Sequence, residues 1–131
     1  MELNSKKVEV NLSKEKLHEF LQKVENYEQL MPQDRAKFEV IRDNAFVFGL
    51  KGLPNIALEI KDISNPDKVV LGAISEKLPF TLTADLEEIS EGKTAAFLQF
   101  EGEFNAMMAM MIKNPISKFL DTLTDNMSTL N

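Results

Sequence analysis

Few side chains in this sequence could carry acid–base or metal chemistry. The only histidine, His18, falls beside the apolar stripe of a helical segment, and we expect it at the surface and partly exposed. A multi-histidine metal site would need a second histidine. Glu101 and Glu103 would share one strand face and could bind a cation or share a proton. That face opposes Phe100 and should be solvated, so we expect no catalytic residue, no metal and no cofactor.

Composition narrows the classes of partner. The chain of 131 residues fits one domain, 1–131, with a real core. Its 15 basic and 21 acidic residues give a net charge of −6, which disfavours both a nucleic-acid surface and an anionic membrane surface. There are no cysteines, so disulfides and thiolate chemistry are excluded. The amino terminus lacks an apolar signal core, and the longest wholly apolar run, residues 106–112, is too short to span a bilayer. We therefore expect a cytoplasmic protein without nucleic-acid binding or stable membrane insertion.

The last quarter of the chain, residues 104–130, predicts one long amphipathic helix. Its apolar residues recur at steps of three or four: Met108, Ile112, Ile116, Phe119, Leu123, Met127 and Leu130. Residues 107–111 contain four methionines that would point in nearly all directions. Because methionine packs adaptably, this end either fills an irregular core or forms a compliant lid over an apolar space. Pro115 predicts a kink or a break within the helix.

Alternating apolar and polar residues before this helix predict a strand, two helices and six more strands. The first strand covers residues 2–12, and Ser13 is a natural N-cap for the helix that follows. Short turns such as Asp43-Asn44 and Asn65-Pro66-Asp67 make neighbouring strands antiparallel. A curved seven-stranded sheet must bury its concave face, and only the last helix is long enough to cover it.

Three local sequences accompany this order of elements. They are the first strand entering a helix at Ser13, the Leu30-Met31-Pro32 end of the helix pair, and the segment KNPISKFLDTL in the last helix. Over essentially the whole chain the pattern resembles the START-like, helix-grip superfamily, also called the polyketide cyclase/dehydrase and lipid-transport (SRPBCC) superfamily. The resemblance implies an α+β helix-grip domain that holds hydrophobic ligands between the sheet and the long helix; some members are enzymes. The birch-pollen allergen branch has a glycine-rich loop where this chain has Asp43-Asn44, so nothing tied to that loop is carried over.

Alternate turns of a meander lie at the same end of the sheet, which predicts where a ligand would enter. Three apolar–proline pairs, Met31-Pro32, Leu53-Pro54 and Leu78-Pro79, should meet the methionine cluster, including Met107, at one end. The turns of the opposite end are polar. Exposed apolar groups gathered in one place usually mark an interaction site, so we interpret this end as a cavity mouth. The alternative is that the prolines stiffen turns while the leucines pack into the core.

The walls of the predicted cavity follow from strand and helix parity. They are Phe46, Phe48, Leu58, Ile60, Leu82, Leu98, Phe100, Met108, Met111, Ile112 and Phe119. Arg42 shares parity with Phe38 and Val40 and is expected to face inward, and Tyr27 is expected to close the helix pair against the sheet. Together they could orient a carboxylate or carbonyl oxygen; alternatively both are ordinary rim residues.

Three functions are compatible with this pattern. The first is noncatalytic binding or carriage of a hydrophobic small molecule such as a lipid, quinone or polyketide-like compound. The second is a protein-interaction module that docks through the methionine-rich helix start onto a partner or onto itself as a homodimer. The third is a cyclase or dehydratase-like enzyme, which would need inward-facing polar groups. We rank them in that order, because the predicted cavity is apolar and no catalytic constellation is visible.

Overall fold

The computed structural model describes residues 1–75 and 79–131, and in them an antiparallel sheet packs against a long C-terminal helix. The strands are β1 (Glu2–Asn4), β2 (Val8–Val10), β3 (Lys37–Arg42), β4 (Ala45–Gly49), β5 (Ile56–Asp62), β6 (Lys68–Ala73), β7 (Phe80–Ser90) and β8 (Lys93–Gly102). The helices are α1 (Lys14–Phe20), a 3-10 helix (Val24–Leu30) and α2 (Ala106–Met127). This arrangement confirms the predicted α+β helix-grip class.

The sheet has eight strands rather than the predicted seven, in the order β1-β8-β7-β6-β5-β4-β3 with β2 also paired to β8. The predicted first strand is divided because it carries one residue more than β8 between Asn4 and Val8, which oppose Gln99 and Ala96. Ser5 lies at the division: its Oγ accepts a hydrogen bond from the Leu98 amide at 2.8 Å. A side chain bonded into the ladder in this way interrupts the strand without detaching it.

The first helix begins as its sequence predicts. The Ser13 hydroxyl accepts a hydrogen bond from the Lys16 amide at 3.2 Å, which caps α1. Leu17 on this helix is completely buried. α1 packs against β7 and β8, while the 3-10 helix packs against α2, β3 and β4.

The two halves of α2 differ in burial. Its C-terminal half buries Ile116, Phe119, Leu120, Leu123 and Met127, whereas no residue before Ile116 is buried. Polar contacts anchor the same half. The Asn126 side-chain amide donates to the Leu30 carbonyl at 2.8 Å, and the Asp121 carboxylate accepts from the Lys6 backbone amide at 3.0 Å. Among the residues that the structure describes, the N-terminal half of α2 has no comparable side-chain hydrogen bond to another element.

Pro115 does not break α2, which is helical from Ala106 to Met127. The predicted break is therefore wrong. Proline removes only the bond from residue 115 to the carbonyl of Met111, and Met111 lies on an exposed side of the helix where water can satisfy that carbonyl. Asn105 caps the helix start by accepting from the Met108 amide at 2.8 Å.

Stacked aromatic rings fill the space between the sheet and the C-terminal half of α2. The rings of Tyr27 and Phe46 stack with centroids 5.1 Å apart, and those of Phe48 and Phe119 stack at 4.8 Å. Each pair joins a helical element to β4. These contacts place the densest part of the core beneath the C-terminal half of α2.

Candidate functional site

An apolar pocket lies at the start of α2, between this helix and the adjacent ends of β5, β7 and β8. Its volume is about 90 Å³. All of its lining residues are apolar: Leu53, Pro54, Ile56, Phe80, Phe100, Phe104, Met108, Met111, Ile112 and Ile116. A site of this kind offers shape and dispersion contacts to a ligand but no hydrogen bond from a side chain.

Three phenylalanines form the sheet side of the pocket. The rings of Phe80 and Phe100 lie 4.8 Å apart, and Phe104 stacks on Phe100 at 6.0 Å. Gly102 permits this approach, because a Cβ built there would lie 2.8 Å from Phe104 Cε2, Phe80 Cβ and the Pro79 carbonyl oxygen. The aromatic wall therefore depends on a residue without a side chain.

The helix side of the pocket is formed by the methionine-rich turns. Met107, Met110 and Met111 are 75%, 81% and 58% exposed, values that are unusual for large apolar side chains on a folded domain. Met111 lines the pocket and is also open to solvent, whereas Met110 on the same turn points away from it. Only the Met111 side chain therefore joins the exposed patch to the pocket.

Of the predicted cavity walls, four line this pocket: Phe100, Met108, Met111 and Ile112. Six others are nearly fully buried in the packed core: Phe46, Phe48, Leu58, Leu82, Leu98 and Phe119. Ile60 is half-buried and packs against the edge of that core. The eleven predicted wall residues therefore do not enclose one common cavity in this state of the molecule.

The physical reason is the ring stacking described above. Between the 3-10 helix, the sheet and the end of α2 there is an enclosed gap of about 10 Å³, too small for more than one water molecule. Parity identifies which residues face inward, but not whether their side chains meet in the middle. Here aromatic pairs span the distance beneath the C-terminal half of α2, and the apolar pocket lies at the end where α2 carries methionine.

The predicted mouth residues are divided between several places. Leu53 and Pro54 line the pocket, and Met107 is exposed beside it. Met31 is 3% exposed within the core, so its placement at the mouth is wrong. Pro32 borders a separate depression farther along α2, Pro79 borders an open cleft beside β7, and Leu78 lies outside the described residues.

Arg42 faces solvent, contrary to the expectation of an inward side chain. The pairing of β3 with β4 shifts by one residue between Val40 and Arg42, so that Val40 opposes Phe46 while Arg42 opposes Ala45 on the other face. Arg42 then pairs with Glu59 of β5, with Nη2 and Oε2 at 2.9 Å. A single bulge residue reverses the parity on which the prediction rested.

Tyr27 closes the 3-10 helix against the sheet, but its hydroxyl is already engaged. It donates a hydrogen bond to the Leu21 carbonyl at 2.8 Å. Burial raises the pKa of this phenol above its ordinary value, because the ionised form would lose its hydration. The side chain is therefore a neutral structural donor rather than a polar group that lines the pocket.

His18 is buried, with 8% of its surface exposed, so the expectation of a surface position is wrong. Its Nε2 lies 3.0 Å from the backbone carbonyl oxygens of both Asn65 and Lys68. Its Nδ1 lies 2.8 Å from the side-chain amide nitrogen of Gln22. These partners define the Nε2–H tautomer, which donates to the carbonyls and accepts from the amide. The histidine joins α1 to the turn before β6 and lies apart from the pocket.

The remaining candidates for chemistry stay dispersed. Glu101 and Glu103 are both exposed. Among residues 1–75 and 79–131, no group of three or more histidine, aspartate or glutamate side chains could hold a metal ion. In the same part of the chain, no helix is long and apolar enough to cross a membrane.

Sequence reasoning missed four residues of the pocket lining: Ile56, Phe80, Phe104 and Ile116. Phe80 shares parity with the predicted wall residue Leu82, and Ile116 lies on the predicted stripe of the last helix. Those signals were present. Phe104 lies four residues before Met108, in step with the same stripe, but it precedes the helix and is positioned by stacking on Phe100.

Comparison with known proteins identifies the fold. No protein-family model matches the chain, and no curated protein matches its sequence. Norcoclaurine synthase from Thalictrum flavum, in complex with dopamine and hydroxybenzaldehyde, superposes with a TM-score of 0.72 at 11% identity, covering 98% of this chain and 84% of that one. A START superfamily protein from Mycobacterium smegmatis gives 0.67 at 11% identity, covering 97% and 94%.

A protein from Thermus thermophilus superposes equally well, with a TM-score of 0.72 at 11% identity over 98% of this chain and 94% of that one. At such low identity these similarities establish the fold and not the activity. The chain has the START-like, helix-grip fold, and the resemblance predicted from its element order is confirmed at that level. One structural neighbour is an enzyme, so the fold alone does not separate a carrier from a catalyst.

Proposed function

We propose that this protein binds a hydrophobic small molecule in the apolar pocket at the start of α2. The observation that carries the proposal is the composition of the lining, in which ten residues contribute and all of them are apolar. The START-like fold of its structural neighbours supports a ligand-binding role. A lipid tail, a quinone tail or a polyketide-like hydrocarbon would suit such a lining.

The pocket is small in this state, so binding must enlarge it. Its volume of about 90 Å³ is below the roughly 300–1,000 Å³ of most small-molecule sites. Met108 and Met111 are unbranched, have several rotatable bonds and belong to the half of α2 that buries no residue. Their displacement would admit a ligand without disturbing the stacked rings beneath the other half of the helix.

Two measurements test this function. Native mass spectrometry of freshly purified protein should detect a retained apolar species, and a neutral polarity-sensitive dye such as Nile red should gain fluorescence on binding. Met111→Lys should weaken dye binding by about tenfold or more, because it places a charge at the pocket wall. Met110→Lys is the matched control: the residue is 81% exposed on the same helix turn but does not line the pocket.

The proposal fails if folded Met111→Lys binds the dye as tightly as the Met110→Lys control and the wild-type protein do. It also fails if the wild-type protein neither retains a species nor binds the dye. Circular dichroism of each variant establishes that the comparison is made between folded proteins.

A protein-interaction module is the second candidate, and the exposed methionines favour it. Met107 and Met110 are 75% and 81% exposed, and both lie on the outer face of α2. A contiguous exposed apolar face of this kind is typical of docking surfaces. The same variants separate the two functions: Met110→Lys should abolish a dimer seen by light scattering, while leaving dye binding unchanged.

The enzymatic neighbour suggests a third candidate, which the pocket supports less well. Norcoclaurine synthase is known in complex with dopamine and hydroxybenzaldehyde, two polar aromatic molecules. The lining described above contains no ionisable side chain, and Tyr27 and Arg42 are engaged elsewhere. We therefore prefer binding or carriage to acid–base catalysis at this site.

A further inference from the structure

A second depression, with a volume of about 150 Å³, lies beside the apolar pocket and has the opposite chemical character. Arg35, Lys51 and Lys118 border it, and Asp34 is the only carboxylate among its lining residues. The whole chain carries a net charge of −6. The lining of this depression has three basic residues and one acidic residue, so its charge is opposite in sign to that of the chain. Its local field favours an anion.

The two depressions follow the same flank of α2. Met111 lines the apolar pocket, while Pro115, Lys118 and Thr122 line the cationic depression. These residues recur at steps of four, three and four, so they form one stripe along the helix. The opposite wall is also continuous, because Leu50 and Lys51 border the cationic depression and residues 53–54 border the apolar pocket. Lys118 follows Met111 by seven positions, or about 10 Å along the helix axis.

The lysines of the depression are available to a ligand. Within the described residues, neither the Lys51 nor the Lys118 ammonium group has a carboxylate partner, and both residues are exposed. Arg35 differs, because Nη2 pairs with Glu28 Oε2 at 3.2 Å and Nη1 donates to the Pro32 carbonyl at 3.2 Å. The charge of Arg35 is therefore largely balanced by Glu28, while the two lysines can contact an anion directly.

We propose that this flank of α2 binds a single-chain anionic amphipath, with its hydrocarbon end in the apolar pocket and its carboxylate at Lys51 and Lys118. A long-chain fatty acid has this chemistry. The inference rests on the proposed function, since the hydrocarbon needs the apolar pocket. Beyond that function, the inference specifies the charge of the ligand and its orientation along α2. The acidic head group lies toward the middle of α2, and the hydrocarbon tail lies toward its start.

The test compares ligands built on a chain of twelve carbon atoms with different head groups. Dodecanoate, dodecanol and dodecyltrimethylammonium, each below its micelle concentration or solubility limit, are titrated against protein loaded with Nile red. Dodecanoate should displace the dye about three- to thirtyfold more effectively than dodecanol, and the cation least effectively. The preference should shrink as salt is raised, because exposed ion pairs are screened.

Variants locate the head group. Lys51→Gln with Lys118→Gln should reduce the preference for dodecanoate over dodecanol to about twofold or less and leave dodecanol binding unchanged. Lys113→Gln is the matched control, since Lys113 is an exposed lysine of the same helix that lines neither depression.

The outcomes distinguish the anionic head-group site from the proposed binding of a hydrophobic molecule. Equal binding of dodecanoate and dodecanol to the wild-type protein would overturn the anionic site while leaving hydrophobic binding in place. A loss of preference in Lys113→Gln equal to that in the double variant would overturn the assignment to Lys51 and Lys118. Failure of all three ligands to displace the dye, or of the dye to bind, would overturn the proposed function itself.

Discussion

The rings of Phe48 and Phe119 are stacked 4.8 Å apart with planes only 9° from parallel, and they join β4 to the C-terminal half of α2. Phe48 is 2% exposed and Phe119 is 4% exposed. The contact occupies the space that the sequence predicts as ligand cavity. It explains why the pocket is confined to the start of the helix.

Phe119→Ala should remove this contact and open a void in the core. We expect a loss of about 3–5 kcal/mol in the free energy of unfolding, measured by urea denaturation. Phe119→Leu keeps most of the apolar volume and should lose less than the alanine variant. Equal stability of Phe119→Ala and the wild-type protein would show that the helix is not fastened here.

His18→Ala should destabilise the protein by about 1–3 kcal/mol, because the carbonyl oxygens of Asn65 and Lys68 lose a donor in a partly buried position. Gln22→Ala removes only the partner of Nδ1 and should have a smaller effect. Both are measured as shifts of the urea midpoint. Nile red binding should be unchanged in folded His18→Ala, since the residue does not line the pocket.

Gly102→Ala should be markedly more disruptive than Gly72→Ala, although both glycines lie in strands. The added Cβ at position 102 would meet the Pro79 carbonyl oxygen and two phenylalanines at 2.8 Å, whereas at position 72 it would meet only the flexible Lys61 side chain, 2.9 Å from Cε. We expect a cost of about 1–3 kcal/mol at position 102. The thermal midpoints of the two variants provide the comparison, and a reversed order would contradict the packing of the aromatic wall.

In an alkaline titration, the ultraviolet absorbance of tyrosinate should report on Tyr27 alone, because the chain has one tyrosine and no tryptophan. Burial raises the pKa of the folded phenol, whereas the unfolded phenol ionises near pH 10, about its ordinary value. The unfolded state therefore releases a proton that the folded state keeps, and stability falls as pH rises above about 10. Near-ultraviolet tyrosinate absorbance should appear only on unfolding.

Tyr27→Phe is the control for this titration. It should be less stable at neutral pH, because the Leu21 carbonyl loses its donor. The difference from the wild-type protein should narrow above about pH 10, where only the wild-type chain has a phenol to ionise. A wild-type phenol that titrates near its ordinary value in the folded protein would contradict its burial.

The fold could be predicted from the sequence because its evidence is periodic. Strand alternation, the cap at Ser13 and the apolar stripe from Ile116 to Met127 each specify an element locally, and short turns specify antiparallel pairing. The whole pattern requires no knowledge of side-chain contacts. It is therefore visible even where identity to structures of the same fold is 11%.

The site was less predictable because it depends on contacts that periodicity does not encode. One bulge between Val40 and Arg42 reverses the face of Arg42. Ring stacking by Phe46 and Phe48 decides that the inward-facing positions meet instead of enclosing space. The cations at Arg35, Lys51 and Lys118 come from three separate segments, which only the folded chain brings to one depression.

The bulge in β3 also disfavours strand pairing between copies of this protein. β3 is an edge of an open sheet, and Val40 and Ile41 on it are 42% and 43% exposed, so a flat strand here would be a template for intermolecular pairing and aggregation. The irregular register prevents a continuous run of free backbone groups. The charged pair of Lys37 and Glu39, 3.4 Å apart, adds a second obstacle to an incoming strand.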